Sequence, residues 1–138
     1  LHHPFTSPRT DDPAEVRAGL NAALAYMRHE AIWYSANADD TIAFFPHLIS
    51  RTGTYLAKTC DIPVGSPLAY LVAPPMEGMV ALDAALKAAA VRIAALTLPP
   101  SETNFMGAML TGDQPACKAA VAAFQETVLD VVQYPMRY

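Results

Sequence analysis

The segment Pro99–Asn104, which reads Pro-Pro-Ser-Glu-Thr-Asn, places hydroxyl, carboxylate and amide groups on consecutive residues. These side chains belong to Ser101, Glu102, Thr103 and Asn104. Repeated around a symmetry axis, one Glu102 from each copy would form an acidic ring, an arrangement that selects cations. An ordinary polar hairpin loop has the same composition, and the residues alone favour that simpler interpretation.

A second candidate group combines the single tryptophan, Trp33, with the adjacent acidic residues Asp39 and Asp40. An aromatic ring beside a carboxylate suits a small ammonium ion. Adjacent residues do not share a face of a helix, so Asp39 and Asp40 are poorly placed for paired acid–base catalysis. Capping a helix is the more common role for one of them.

The sequence contains no Gly-rich phosphate loop, no nucleophile motif and no metal-ligand spacing. Cys60 and Cys117 are widely separated, and we interpret them as small buried residues of a protein in a reducing cytoplasm. His29 and His47 are expected to be surface or half-buried residues. We therefore predict that the chain is not an enzyme and that it holds no cofactor and no metal.

The composition favours self-association. Charged residues make up 16% of the 138 residues, against about 25% in an average soluble domain. Hydrophobic residues make up 53%, so part of the surface is expected to be buried against other subunits. The net charge of −4 predicts no nucleic-acid or anionic-lipid partner. No apolar run approaches the ~20 residues of a membrane helix, and the polar, proline-rich start does not resemble a signal peptide.

The elements that position the polar segment run from Pro67 to Gln133. Hydrophobic periodicity predicts strand, helix, strand, loop, strand and helix in that order. The first helix forms a βαβ crossover, and Pro99–Asn104 joins the second and third strands. The predicted strands are 67–75, 91–98 and 105–112, and the predicted helices are 76–90 and 113–133. The fold class is therefore α/β (α+β), with helices packed on a small, largely antiparallel sheet in the ferredoxin-like manner.

The preceding residues add further elements. Residues 1–11 are predicted to be a tail, and residues 12–28 a helix that Asp12 caps. Residues 30–37 are predicted to be a short strand, because they are rich in β-forming residues. A second helix is predicted to run to about Lys58. If Asp40 caps it, Pro46 lies too deep for a first-turn proline, so the helix is either kinked or begins nearer Phe44.

The first helix repeats the last one. Residues 12–22 align without gaps on residues 113–123, at a shift of 113 − 12 = 101 residues. A shift of domain size suggests that residues 12–28 close a preceding copy of the domain, most of which is missing. Residues 29–138 then form the second copy.

Several motifs resemble those of bacterial microcompartment (BMC) shell proteins. The helix end Asp83–Val91 (Asp-Ala-Ala-Leu-Lys-Ala-Ala-Ala-Val) and the helix start Thr111-Gly-Asp113 are similar to motifs of that family. Longer stretches resemble the second half of the L-type ethanolamine-utilisation (EutL-like) members, over about residues 12–133. These stretches are Ser50–Leu56, Ala69–Pro75, Pro99–Asn104 and Leu110–Gly112.

The resemblance implies a structural role. In that family two permuted shell domains are fused in one chain, three chains form a hexamer-like tile with pores, and tiles join into a shell in the cytoplasm. It implies that Ser101, Glu102, Thr103 and Asn104 line a pore. It also implies that Lys87 lies at the tile edge, although a cation near a helix end needs no such explanation.

The resemblance also implies partners. We expect the chain to assemble into a trimeric or hexameric tile and to contact other microcompartment shell proteins. Ethanolamine, or a similar small polar metabolite, is the ligand expected near Trp33, Asp39 and Asp40. The alternative is a ferredoxin-like domain that forms a closed ring and binds or converts a small molecule. A tile-forming protein should give extended flat sheets, whereas the alternative should stop at one ring.

Overall fold

The computed structural model describes residues 12–138, so the predicted tail, residues 1–11, lies outside the described residues. The described residues divide into two compact units, residues 12–32 and 33–138. The described part of the first unit contains helix α1, Pro13–His29. Asp12 caps it by accepting a hydrogen bond from the backbone N–H of Ala14, at 2.9 Å, as the sequence predicts.

The second unit contains five strands and three α-helices. The strands form a single sheet in the order β1-β2-β3-β5-β4, and all four neighbouring pairs are antiparallel. In chain order the elements are β1 (Tyr34–Ser35), β2 (Ala43–Ile49), α2 (Thr54–Cys60), β3 (Leu68–Ala73), α3 (Pro75–Ala88), β4 (Arg92–Thr97), β5 (Met106–Thr111) and α4 (Gln114–Gln133).

The sheet order confirms the ferredoxin-like prediction. Strands β3 and β4 flank β5 and are both antiparallel to it, so β3, α3 and β4 form a parallel crossover that is split by β5. Strand β2 lies beside β3, in the position of the strand that would follow α4 in a β-α-β-β-α-β unit. It precedes that unit in the chain, which makes the fold a permuted one.

One side of the sheet packs against α3 and α4, and we call it the helix face. Alternate residues of the strands point to this side because side chains of a strand alternate between its two faces. Helix α4 adds Phe124 and Val128, both fully buried. Burying one large apolar side chain contributes about 1.5–3 kcal/mol, so this layer supplies much of the stability. The buried strand residues of the helix face are Phe44, Ala69, Leu71, Ala73, Met106, Ala108 and Leu110.

Helix α3 lies close to the sheet because Gly78 has no side chain. A Cβ atom at Gly78 would lie 2.2 Å from Cγ of Met106, a distance that the packed core could not accommodate without a shift. Glycine therefore permits the close approach of α3 to β5.

The predicted helix from Asp40 to Lys58 is wrong over its first half. Residues 43–49 form β2, and only Thr54–Cys60 is helical. Phe44 and Pro46 are buried while Phe45 and His47 are half-buried, which is the two-residue period of a strand. The predicted strand at residues 30–37 is shorter, since only Tyr34–Ser35 pairs.

Pro46 fits a strand because its nitrogen faces the outer edge of the sheet. The N–H of Ala36 donates to the carbonyl of Ile42, so the backbone groups of Ile42, Phe44 and Pro46 point toward β1. Strand β1 pairs only with Ala43 and Phe44. The missing N–H of Pro46 therefore falls beyond the end of β1 and removes no ladder hydrogen bond.

The opposite side of the sheet, which we call the open face, is only partly covered. Helix α2 and the turn after it cover one end, where Ala57, Cys60 and Ile62 pack with Leu68. The rest of this side carries the candidate site. The strand residues of the open face are Phe45, His47, Tyr70, Val72, Ala95, Thr97, Gly107 and Met109, as the pairing register places them.

Candidate functional site

A cavity of about 360 Å³ lies on the open face. Strands β3, β5 and β4 contribute Tyr70, Gly107 and Thr97, among others, and the β4–β5 loop contributes Ser101, Glu102 and Thr103. The loop reaches the cavity because Thr97 and Gly107 form the last residue pair of the β4–β5 hairpin. The cavity therefore combines hydroxyl groups and one carboxylate with an apolar sheet surface.

Hydrogen bonds within the loop fix its shape. The Ser101 hydroxyl donates to the carbonyl of Phe105 at 3.1 Å, and the N–H of Phe105 donates to the Thr103 hydroxyl at 3.4 Å. Asn104 adopts a left-handed backbone conformation, with φ 58°, which asparagine tolerates better than most residues. Three of the four predicted pore residues thus line the cavity, while Asn104 makes the turn.

An aromatic cluster adjoins the cavity. The ring of Trp33 lies 5.8 Å from Phe105, centroid to centroid, in an edge-to-face arrangement, and 5.6 Å from Phe45. Phe45 in turn contacts Tyr70 at 5.7 Å and His47 at 5.3 Å. Since Phe105 and Tyr70 also line the cavity, Trp33 is connected to it through Phe105.

Asp39 and Asp40 lie in the turn between β1 and β2. The side-chain oxygen of Asn37 accepts hydrogen bonds from the N–H groups of Thr41 and Ile42 at 3.0 and 3.1 Å, and Asp40 has φ 54°. The prediction that one aspartate caps a helix is wrong, because a strand follows the turn. Both aspartates are exposed, and Trp33 packs on the aromatic cluster.

Lys87 lies in the last turn of α3. Its ammonium group is 2.6 Å from the Asp83 carboxylate, four residues earlier on the same helix face. The side chains are 76% and 64% exposed, so the pair contributes little to stability. Lys87 is therefore on the surface, where an edge contact requires it to be.

Both cysteines are buried free thiols, as the sequence predicts. Burial raises the pKa of each thiol, which keeps the groups protonated and unreactive. The Cys60 sulfur lies 3.2 Å from the sulfur of Met109, a cavity residue. Among residues 12–138 no cluster of three or more His, Cys, Asp or Glu residues could hold a metal ion. Within the same residues, no helix has both the length and the apolar character to cross a bilayer.

Sequence reasoning missed the sheet residues of the site. Tyr70, Phe105, Gly107 and Met109 line the cavity, but none of them was a candidate. The two-residue period along β3 and β5 could have placed Tyr70, Gly107 and Met109 on one face. Phe45 was hidden because its segment was predicted to be a helix.

Comparison with known proteins identifies similar chains. The family model described as the BMC domain matches residues 72–135. The bacterial microcompartment shell protein EutL of Clostridium perfringens (strain 13 / Type A) is 55% identical over 126 residues, 91% of this chain and 58% of the relative. The crystal structure of ethanolamine utilization protein EutL from Leptotrichia buccalis C-1013-b is 60% identical, with a TM-score of 0.82, over 91% of this chain and 58% of that one.

A more distant structure shares the fold. The crystal structure of a trimeric bacterial microcompartment shell protein, PduB, has 26% identity and a TM-score of 0.72, over 90% of this chain and 56% of that one. This chain spans 58% of the length of the curated relatives it matches. The curated relatives are named as bacterial microcompartment shell proteins and not as enzymes, so the alternative of an enzymatic or ligand-binding ring is not favoured.

Proposed function

This chain carries a BMC domain and belongs with the EutL-type bacterial microcompartment shell proteins, and on that premise we propose that it forms part of a pore-bearing tile of such a shell. The tile passes small polar metabolites, and the microcompartment is one that serves ethanolamine utilisation. The observation that carries the proposal is the cavity that Ser101, Glu102 and Thr103 share with the open face. Hydroxyl groups and a carboxylate that line a cavity are groups that a passage for small polar solutes uses, whereas a plain hairpin loop requires no cavity.

The tile is proposed to be trimeric with hexamer-like symmetry, and to join other shell proteins in the cytoplasm. The trimeric relative PduB, which has the same fold, supports this stoichiometry. The low share of charged residues supports extensive burial between chains. Ethanolamine is the proposed passenger, because a similar protein from Leptotrichia buccalis is named an ethanolamine utilization protein and because Glu102 offers a carboxylate to its ammonium group.

A subsidiary binding role is proposed for the residues near the cavity. Trp33 offers an exposed aromatic ring, 53% accessible, which can hold an ammonium group by a cation–π contact. Asp39 and Asp40 add negative charge at the exposed β1–β2 turn. Trp33 is the member of the group that adjoins the cavity, through its contact with Phe105.

Helix α1 is proposed to close a preceding shell domain. Asp12 and Asp113 each cap their helix, and each helix has a proline in its first turn. Val16 and Met27 of α1 correspond, at the shift of 101 residues, to the buried Cys117 and Val128 of α4. In α1 they are 46% and 61% exposed, so an apolar stripe is available to cover a second sheet.

The α1 proposal predicts that the exposed stripe promotes association of the chain in solution. Replacing Leu20 and Leu24 by aspartate should reduce that association, because 61% and 46% of these side chains are exposed. Sedimentation velocity of the parent and of the double variant makes the comparison. Equal association of the two proteins would show that the stripe is not a docking surface.

The tile itself is tested at Lys87. Lys87→Asp places a second acidic group at the helix end, beside Asp83, and across a tile edge it brings like charges together. The variant should keep its fold, since an exposed helical ion pair contributes only about 0.3–0.5 kcal/mol, but should no longer form flat sheets. Lys58→Asp is the matched control, because Lys58 is also an exposed lysine in the last turn of a helix.

Electron microscopy of concentrated protein, with circular dichroism as the check on folding, decides the matter. Sheets from the parent and from Lys58→Asp, but not from Lys87→Asp, support the edge assignment. Sheets of the same size from all three proteins contradict it. A parent protein that stops at a single closed ring contradicts the shell role.

A further inference from the structure

Gly107 lies at the centre of the open face. It pairs with Val72 of β3 on one side and with Thr97 of β4 on the other. All three residues line the cavity, so the glycine leaves the floor of the cavity without a side chain.

The fold does not require glycine at this position. A Cβ atom on Gly107 would find the carbonyl oxygen of Leu71 as its nearest neighbour, at 4.0 Å, which is an ordinary contact distance. The bulge in this hairpin lies at Ile93 and Ala95, and Gly65 is the positive-φ glycine of the described residues. Gly107 is therefore neither a bulge residue nor a left-handed one.

Glycine in a strand carries a cost. Glycine loses more backbone freedom on folding than other residues. With glycine instead of alanine inside a strand, the folded protein is less stable by about 0.5–1 kcal/mol. Where neither a bulge nor a tight bend explains it, glycine in a strand marks the close approach of a ligand or of another backbone. The vacant volume above Gly107 belongs to the cavity, where there is room for a ligand to approach the strand.

We propose that Gly107 sets the size limit of the molecule that the cavity admits. The inference rests on the proposed passage of small polar metabolites, and it adds the residue that determines which of them fit. Glu102 and the hydroxyl groups at the loop contact the polar head of the molecule, and the open floor at Gly107 accommodates its bulk. A larger residue at this position would exclude larger molecules while leaving room for the smallest.

The experiment uses variants that the strand can accept. Gly107→Ala and Gly107→Val add carbon atoms to free space, and valine is a good strand former, so both should be at least as stable as the parent. Gly53→Ala is the control, because a Cβ atom at Gly53 would meet nothing within 4 Å and Gly53 does not line the cavity. Thermal unfolding of all four proteins establishes that each is folded.

Binding is measured with ammonium ions of graded size. Methylammonium, ethylammonium and tetramethylammonium chloride are titrated into the isolated chain, and the fluorescence of Trp33 is followed. Trp33 is the single tryptophan of the chain and lies 5.8 Å from the cavity residue Phe105, so it reports occupancy. Sodium chloride at equal concentration corrects for ionic strength.

The expected result is a change in size preference. Gly107→Val should weaken tetramethylammonium binding by at least about tenfold, the scale on which a few carbon atoms are discriminated in a pocket. It should change methylammonium binding by about twofold or less, and Gly107→Ala should lie in between. Equal binding of every ion by parent and variants would overturn the inference, as would a parent that binds none of them.

The outcome separates the inference from the proposed function. The titration needs only the isolated chain, whereas the shell role is judged by sheet formation. A size shift in a protein that forms no sheets keeps the inference and removes the shell role. Sheets that form normally with no size shift keep the shell role and remove the inference. Strong destabilisation of both Gly107 variants would show that the glycine serves packing and would also overturn the inference.

Discussion

The two faces of the sheet are built from the same strands but differ in how they are covered. On the helix face Phe44, Leu71 and Leu110 are fully buried beneath α3 and α4. On the open face Tyr70 and Phe105 are half-buried, and a cavity of about 360 Å³ lies between the strands and the β4–β5 loop. Helix α2 is short and covers only one end of that side.

This difference separates stability from function within one sheet. Close packing on the helix face makes every residue there sensitive to a change of volume. The open face has space that packing does not fill, so its residues can change with small effects on stability. In the proposed shell, that freedom allows the passage to be adapted to its solute without loss of the fold.

The largest loss of stability is expected on the helix face, and its size relative to a loss on the open face tests the difference between the two faces. Phe124→Ala on the helix face should lower the free energy of unfolding by about 3–5 kcal/mol, because it removes a fully buried ring and leaves a void. Phe105→Ala on the open face should cost less, about 0.5–1.5 kcal/mol for the aromatic contact with Trp33 plus a partial loss of burial.

Urea denaturation of the two variants and the parent measures both losses. A loss for Phe105→Ala as large as that for Phe124→Ala would mean that the open face is also a core. The distinction between the faces would then fail, and the cavity would have to be interpreted as a packing gap.

The sequence predicts the helix face better than the open face, for a physical reason. Capping and periodicity are local, so Asp113 and the repeating apolar residues of α4 locate that helix within one residue of its observed start. The cavity depends on the register of three strands, which brings Tyr70, Gly107 and Thr97 together from distant parts of the chain. A single sequence does not specify that register.

The error at residues 43–49 has a related cause. Proline is uncommon in strands, and its fit here depends on which side of β2 lacks a partner. That fact is tertiary, since it follows from the short pairing of β1 with Ala43 and Phe44. The misplaced segment also hid Phe45 and His47, which belong to the aromatic cluster. The polar loop was found because its chemistry is contiguous in the sequence.

Replacing Glu102 is expected to have the smallest effect on stability, and it is also the most direct test of the passage. Glu102 is exposed, so Glu102→Gln should change the free energy of unfolding by less than about 0.5 kcal/mol. Its effect should be on selectivity instead. In the proposed tile, copies of this carboxylate around the symmetry axis would create a negative potential, which attracts cations and excludes anions.

Glutamine keeps the length and most of the shape of Glu102 and removes only its charge. Tiles of Glu102→Gln reconstituted in a planar bilayer should therefore pass neutral solutes at the rate of the parent, while their preference for ammonium over phosphate falls. Glu126→Gln is the matched control, because Glu126 is an exposed glutamate on α4 whose loss gives the same change in net charge away from the cavity. An equal fall in both variants would assign the preference to the net charge of the tile. If Glu102→Gln keeps the preference of the parent, solutes do not pass this loop, and the open face carries no passage here. Removing a charge that lines a passage changes the electrostatic potential along it, and the selectivity would have to change with it.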